Sequence, residues 1–186
     1  MSILTERLEL VAATPDLVRA ALVDDAYLGK CLEARIPATW PPEFYEPMGL
    51  EYTLQQLEAG PEQAGWWLHF FVLRSASWDE RVLIGTGGYK GPPTEDGTVE
   101  IGYTIASEFQ RQAYATEASR GLVIHAFTFP EVKGVVAETF TDLAASIGVL
   151  EKLGFRFLAD GEEAGIIWFE LRREQFTSGA YQLSVG

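Results

Sequence analysis

Residues 98–118, TVEIGYTIASEFQRQAYATEA, join a strand pattern to a helix pattern, and the rest of the chain is organised around that junction. Between residues 99 and 105 apolar side chains alternate with polar or small ones, which predicts a β-strand. From Ala118 to Ala126 apolar residues recur four positions apart, which predicts one face of a helix. Because the first N–H groups of a helix have no partner within it, the intervening loop predicts an anion site.

The residues of that loop are small or polar. They are Gln110, Arg111, Gln112, Ala113, Tyr114, Ala115 and Thr116. A phosphate that lies against backbone N–H groups leaves no room for bulky side chains, and Ala113 and Ala115 respect that limit. If residue 113 needs a positive φ, its alanine is strained. Since every helix has an N-terminus, this pattern alone also fits other anion binders.

The same loop resembles the acetyl-CoA-binding segment of the GNAT superfamily of N-acetyltransferases, whose pattern is Gln/Arg-x-x-Gly-x-Gly/Ala. Gln110 takes its first position and Ala115 its last, whereas Ala113 stands where the family usually has glycine. The continuation from Tyr114 is similar to the ribosomal-protein alanine acetyltransferase (Rim-like) branch.

A second marker of that branch resembles residues 138–157, ETFTDLAASIGVLEKLGFRF. The likeness includes Asp142 and Ser146 and departs at Leu143, where the family has an asparagine that holds the cofactor arm. Residues 5–10, TERLEL, are similar to the first strand of the branch. The two markers, in the expected order and separation, identify the chain as a member of the superfamily.

The resemblance implies an α+β fold, with a mostly antiparallel central sheet and helices on both faces, in a single domain over residues 1–186. It implies an acetyl-CoA-dependent N-acetyltransferase that moves the acetyl group directly to a primary amine, either a peptide N-terminus or a small amine. A backbone N–H near Ile105 would polarise the thioester carbonyl, and the pantetheine arm would enter where two strands splay apart. Ser146 would protonate or solvate the departing thiolate, because Leu150 replaces the tyrosine acid of many members. The alternative for Ser146 is a structural hydroxyl bonded back to the Asp142 carbonyl within the helix.

Acetyl transfer also requires an uncharged amine, so a base is useful. Glu100 is the candidate, because it alternates off the apolar face of the central strand, and a partly dry cleft would raise the pKa of its carboxyl group. A structural salt bridge is the alternative for this residue. His69 is a second candidate base, although we expect both His69 and His125 to be structural. No cluster of residues has the spacing of a metal site.

Composition limits the partners. The formal net charge of −13 disfavours nucleic acid, so Arg111, more than Arg120 or Lys152, is expected to supply local positive charge for coenzyme A. No signal peptide or membrane-spanning run is visible, and the one cysteine, Cys31, excludes an internal disulfide and suits a reducing cytoplasm. The sequence leaves open a homodimer, and a non-catalytic acyl-CoA or small-molecule binding module on the same fold.

The remaining patterns predict the other elements. Strands are expected over residues 3–11, 66–74, 81–90, 132–140, 155–159 and 166–171. Helices are expected after Thr14, after Asp24 or Asp25, over residues 48–59, and after a Thr141–Asp142 cap. The aromatic residues between the first helices and the central strands could wall an acceptor pocket or belong to the core; they are Trp40, Phe44, Tyr45, Trp66 and Trp67.

Overall fold

The computed structural model describes residues 2–75 and 80–178, so the domain expected over residues 1–186 extends beyond the described residues. The strands are β1 (Ser2–Leu4), β2 (Leu8–Ala12), β3 (Leu68–Leu73), β4 (Val82–Tyr89), β5 (Thr98–Ile105), β6 (Gly134–Phe140), β7 (Arg156–Asp160) and β8 (Ile166–Arg172). The helices are α1 (Pro15–Val23), α2 (Asp25–Leu32), α3 (Pro47–Ala59), α4 (Tyr114–Ala126), α5 (Ala144–Lys152) and α6 (Arg173–Ser178).

The strands form one sheet in the order β1-β2-β3-β4-β5-β6-β8-β7. Among the described strands every neighbouring pair is antiparallel except β5 and β6, which are parallel and joined through α4. β5 and β6 pair only from Thr98 to Glu100, opposite Gly134 to Val136, although both strands continue well beyond that point. The two strands therefore separate in the middle of the sheet.

Helices cover both faces of the sheet and enclose two hydrophobic cores. On one face Phe71 and Ile101 belong to a core that includes Leu122 of α4 and Leu150 of α5. On the other face Phe70 belongs to a core with residues of α1, α2 and α3. This arrangement confirms the expected α+β class.

Helix capping by polar side chains is confirmed at α1 and α2 but not at α5. Thr14 Oγ1 accepts a hydrogen bond from the Leu17 N–H at 3.2 Å, and Asp24 Oδ1 accepts one from the Tyr27 N–H at 2.7 Å. At α5 the residue in the capping position is Leu143, which makes no side-chain cap. The cap predicted from Thr141–Asp142 is therefore wrong.

The strand predicted over residues 3–11 is two strands of a hairpin. The Thr5 side chain breaks the strand, because Thr5 Oγ1 accepts a hydrogen bond from the Leu8 N–H at 3.0 Å while the Thr5 N–H donates to the Leu8 carbonyl at 2.9 Å. The strand predicted to begin at Trp66 begins at Leu68, because residues 61–66 form a 3-10 helix.

Candidate active site

The separation of β5 and β6 opens a cavity of about 1030 Å³ that is lined by residues from both faces of the sheet. On the side of α4 and α5 the lining includes Ser146 and Lys152. On the side of α3 it includes Thr53, Lys90 and Glu138. The cavity therefore connects the two faces, so that two reactants could meet between the strands.

The loop before α4 lines this cavity and presents a run of free backbone donors. The N–H groups of residues 111–116 make no hydrogen bond to any residue within the described ranges. They precede the first turn of α4, where the helix dipole is positive. Gln110 folds inward instead, since its side-chain amide donates to the Ile105 carbonyl at 3.0 Å. Successive free donors of this kind suit a diphosphate.

Two residues of the loop adopt left-handed backbone. Arg111 has φ 59° and Ala113 has φ 65°, and Ala113 is the residue in the N-cap position of α4. A glycine would adopt this conformation without strain, whereas in an alanine the Cβ crowds the following carbonyl oxygen and raises the conformational energy. The family glycine at this position thus has a conformational reason, and Ala113 keeps the conformation with one added methyl group.

Arg7, from the turn of the β1–β2 hairpin, and Glu117, from the first turn of α4, together hold the loop in place. The Glu117 carboxylate accepts hydrogen bonds from the Thr5 hydroxyl, the Arg7 N–H and the Arg7 Nε, each at 2.6 Å. Arg7 also donates to the Gln112 carbonyl at 3.2 Å, and its guanidinium lies 4.2 Å from the centre of the Tyr114 ring. Burial alone would raise the pKa of Glu117, but the bonds from Thr5 and Arg7 and the Arg7 charge outweigh it and lower that pKa.

The edge of β5 supplies a second set of backbone donors. The Glu100 carbonyl and the Ala106 N–H both bond toward β4, to Lys90 at 3.0 Å and Ile84 at 2.8 Å. Because backbone groups of successive strand residues point to opposite edges, those of Tyr103 and Ile105 point toward β6. β6 has already diverged at this level, so these N–H groups face the cavity.

Tyr103 and Ser146 face each other in the cavity. The Tyr103 hydroxyl lies 3.2 Å from both Ser146 Oγ and the Ser146 carbonyl. Burial raises the pKa of Tyr103 to about 12, so the hydroxyl keeps its proton at neutral pH. The sequence predicts a role for Ser146 but gives no signal for Tyr103. Alternation along β5 places Tyr103 on the helix side of the sheet, but only tertiary structure brings Ser146 to it.

Glu100 lies outside the lining of the cavity. Its Oε1 is 2.5 Å from the ammonium of Lys90, which also lies 2.6 Å from Glu138 Oε1. Burial alone would lower the pKa of Lys90, but the hydrogen bonds and charges of Glu100 and Glu138 outweigh it and raise that pKa. Lys90 and Glu138 line the cavity, so Glu100 meets the lining through its salt bridge with Lys90, as the structural alternative for this residue expects; its role as general base stays a prediction.

The other candidates fall into two groups. Arg111 and Lys152 line the cavity, whereas Arg120 does not. Leu143 also lines it and presents an apolar wall where the family has asparagine. His69 is buried, its Nδ1 lies 3.0 Å from the Trp67 carbonyl, and burial lowers its pKa to about 4. His69 is therefore a core residue, whereas His125 is half-buried, with its Nδ1 3.0 Å from the Tyr89 hydroxyl.

The aromatic residues proposed for an acceptor pocket also divide. Of the five, only Phe44 lines the cavity. Trp40 and Trp67 are buried in the core that faces α1, α2 and α3, with Tyr45 packed against it. Trp66 packs against the opposite core.

Residues 2–75 and 80–178 contain neither a helix that could span a membrane nor a cluster that could bind a metal ion. None of the helices there is both long and apolar enough to cross a membrane. No group of three or more histidine, cysteine or acidic residues in those ranges could hold a metal ion.

Comparison with known proteins agrees with this geometry. The family model of the acetyltransferase (GNAT) domain matches residues 7–156. YjdG of Bacillus subtilis (strain 168), an uncharacterised N-acetyltransferase, is 28% identical over 152 residues, which are 81% of this chain and 87% of that protein.

Two solved structures share the fold at low identity. The ribosomal-protein-S5-alanine acetyltransferase from Vibrio fischeri superposes with a TM-score of 0.63 at 19% identity, covering 92% of this chain and 96% of that one. RimL, a ribosomal α-N-protein acetyltransferase solved with coenzyme A, superposes with a TM-score of 0.64 at 16% identity, covering 94% of this chain and 99% of that one. At such identities the likeness shows the fold.

Proposed function

The chain belongs to the GNAT acetyltransferase family and is an acetyl-CoA-dependent N-acetyltransferase, and we propose that it transfers the acetyl group directly to a primary amine entering beside Glu138. The observation that carries this proposal is the run of free N–H groups over residues 111–116, at the end of a cavity that crosses the sheet. Acetyl-CoA, when bound there, supplies the acetyl thioester. We expect the domain to act as one unit in a reducing cytoplasm.

The loop and the cations beside it would hold the diphosphate. The N–H groups of residues 111–116 donate to its oxygens, while Arg111 and Lys152 supply positive charge that the chain as a whole lacks. Arg7 and Glu117 fix the loop before the ligand arrives, so less ordering is needed on binding.

The free edge of β5 would orient the thioester. Its N–H groups at Tyr103 and Ile105 are fixed by the sheet and can donate to the carbonyl oxygen as negative charge develops on it. The Tyr103 hydroxyl, protonated and in contact with Ser146, can give its proton to the departing sulfur. Cys31 is exposed on α2 and does not line the cavity, which favours direct transfer over an acyl-cysteine.

The amine would approach from the opposite face. Glu138 Oε1 is held by Lys90, and none of the described residues bonds to its Oε2. That free oxygen can accept a hydrogen bond from the incoming ammonium and help its deprotonation.

Two measurements test the proposal. Isothermal titration with acetyl-CoA should show saturable binding, and a thiol-reactive dye should report release of coenzyme A when amines are added. Absence of both signals would refute the proposal. Binding without thiol release across a panel of small amines and peptide N-termini would instead favour the non-catalytic binding module, which the departures at Ala113 and Leu143 make the main alternative.

A further inference from the structure

The acceptor end of the cavity has an exposed aromatic pair at its mouth. Phe44 and Phe140 stack with ring centres 6.1 Å apart and an interplanar angle of 27°. Both rings line the cavity, yet 60% of Phe44 and 42% of Phe140 are exposed. Large apolar side chains that stay exposed at a cavity mouth are typical of a ligand contact.

The backbone holds Phe44 at this mouth at a conformational cost. Phe44 has φ 63°, an uncommon value for an aromatic residue. The loop that carries Phe44 is anchored at two points. The Thr104 hydroxyl of β5 donates a hydrogen bond to the Glu43 carbonyl at 2.8 Å. The Thr39 hydroxyl donates to the carboxylate of Glu108, in the turn that follows β5, at 2.9 Å. Strained residues held by their surroundings are concentrated at ligand-binding positions.

The charges deeper in the same end favour a cation. Lys90 is shared by the carboxylates of Glu100 and Glu138, so these three groups together carry one net negative charge. The exposed side chain of Glu43 adds a further negative charge at the mouth. A carboxylate on the acceptor would be repelled by these protein carboxylates, whereas an ammonium would be attracted to them.

We propose that the acceptor is a primary amine that lies a few bonds from an aromatic group and carries no carboxylate beside the amine. Its ring contacts Phe44 and Phe140, and its nitrogen reaches Glu138 and the acetyl carbon between β5 and β6. This inference rests on the proposed acetyltransferase function. The same chemistry is present in a free arylalkylamine and in the N-terminus of a peptide that begins with an aromatic residue.

The experiment compares kcat/KM for matched acceptors by release of coenzyme A. Phenethylamine is compared with propylamine to test the ring, phenylalaninamide with phenylalanine to test the carboxylate, and phenylalaninamide with a Phe-Ala-Ala peptide to separate the two sources. We expect the ring to raise kcat/KM about tenfold or more and the free carboxylate to lower it by a similar factor.

Variants assign the effect to the mouth. Phe44→Ala and Phe140→Ala, made as separate variants, should each raise KM for phenethylamine about tenfold and leave KM for acetyl-CoA unchanged. Phe44→Ala retains a Cβ at the positive φ, so the backbone strain at residue 44 is the same as in the wild type. Phe157→Ala is the matched control, because Phe157 is 58% exposed on β7 and does not line the cavity.

The outcomes separate the two proposals. Measurable and equal kcat/KM for propylamine and phenethylamine, or equal KM in the wild type and both mouth variants, would overturn the aromatic acceptor and leave the acetyltransferase intact. No release of thiol with any amine would refute the acetyltransferase proposal itself. Turnover of the peptide but not of phenethylamine would assign the aromatic N-terminus as the source.

Discussion

Replacing Ala113 by glycine should stabilise this protein, although glycine usually destabilises a helix interior. Ala113 has φ 65° and ψ 9°, and left-handed backbone costs an L-residue about 1–2 kcal/mol that glycine does not pay. Glycine adds freedom to the unfolded chain worth about 0.4–1 kcal/mol, which offsets part of that gain. Ala113 is exposed, so little packing is lost with its methyl group. Taken at the middle of the two ranges, the net expectation is a gain of about 0.8 kcal/mol in the free energy of unfolding.

The neighbouring alanine supplies the control. Ala115 lies inside α4, two positions further along, where backbone is helical and Ala115→Gly should lose about 0.5–1 kcal/mol. In urea unfolding with equal m-values, the free energies of unfolding of the two variants should therefore differ by about 1–2 kcal/mol. Ala113→Gly should be more stable than the wild type and Ala115→Gly less stable. In thermal unfolding Ala113→Gly should raise Tm by about 1–4 °C.

A loss of stability in Ala113→Gly equal to that in Ala115→Gly would refute the argument, because it would mean that residue 113 is not left-handed in solution. Titration of acetyl-CoA into the same variants adds a second reading. Tighter binding by Ala113→Gly alone would mean that the Ala113 methyl group narrows the diphosphate site.

Three further outcomes are expected. Tyr103→Phe should lower kcat by about 100-fold or more with little change in KM for acetyl-CoA, since it removes a protonated donor, whereas Ser146→Ala should lower kcat less. A larger loss in Ser146→Ala than in Tyr103→Phe would place the donated proton on Ser146. The pKa of Glu117 is lowered in the native state, so its contribution to the free energy of unfolding is complete above pH 4.5, its ordinary pKa, and is lost as pH falls through the native pKa. In urea unfolding the free energies of the wild type and Glu117→Gln should therefore converge at low pH. A difference that stays constant with pH would contradict this. Glu100→Gln should leave kcat within about threefold, because its carboxylate does not line the cavity, whereas loss of a true base would cost about 100-fold.

The loop with free backbone donors could be located from sequence, because its donors belong to the main chain and not to particular side chains. The run of small and polar residues from Gln110 to Thr116 determines where main-chain donors can be approached, and these residues are contiguous. The contact between Tyr103 and Ser146 could not be predicted in this way, since it depends on how α5 is seated over β5. The Arg7 contacts with Gln112 and Glu117 are likewise set by the β1–β2 hairpin, which the sequence pattern had merged into one strand.

Glu100 lies in a salt bridge beside the cavity for a reason that lies in strand pairing rather than in side-chain alternation. Alternation places Glu100 on the same face of β5 as Gly102, but β5 is still paired with β6 at Glu100, opposite Val136. One step further on that face β5 has Gly102, where a Cβ would meet no atom within 4 Å, so the cavity opens there and β5 offers it no carboxylate. β6 supplies the carboxylate at the corresponding level, because Glu138 lies as far beyond Val136 as Gly102 lies beyond Glu100. The position at which the two strands part therefore decides which carboxylate can meet the amine.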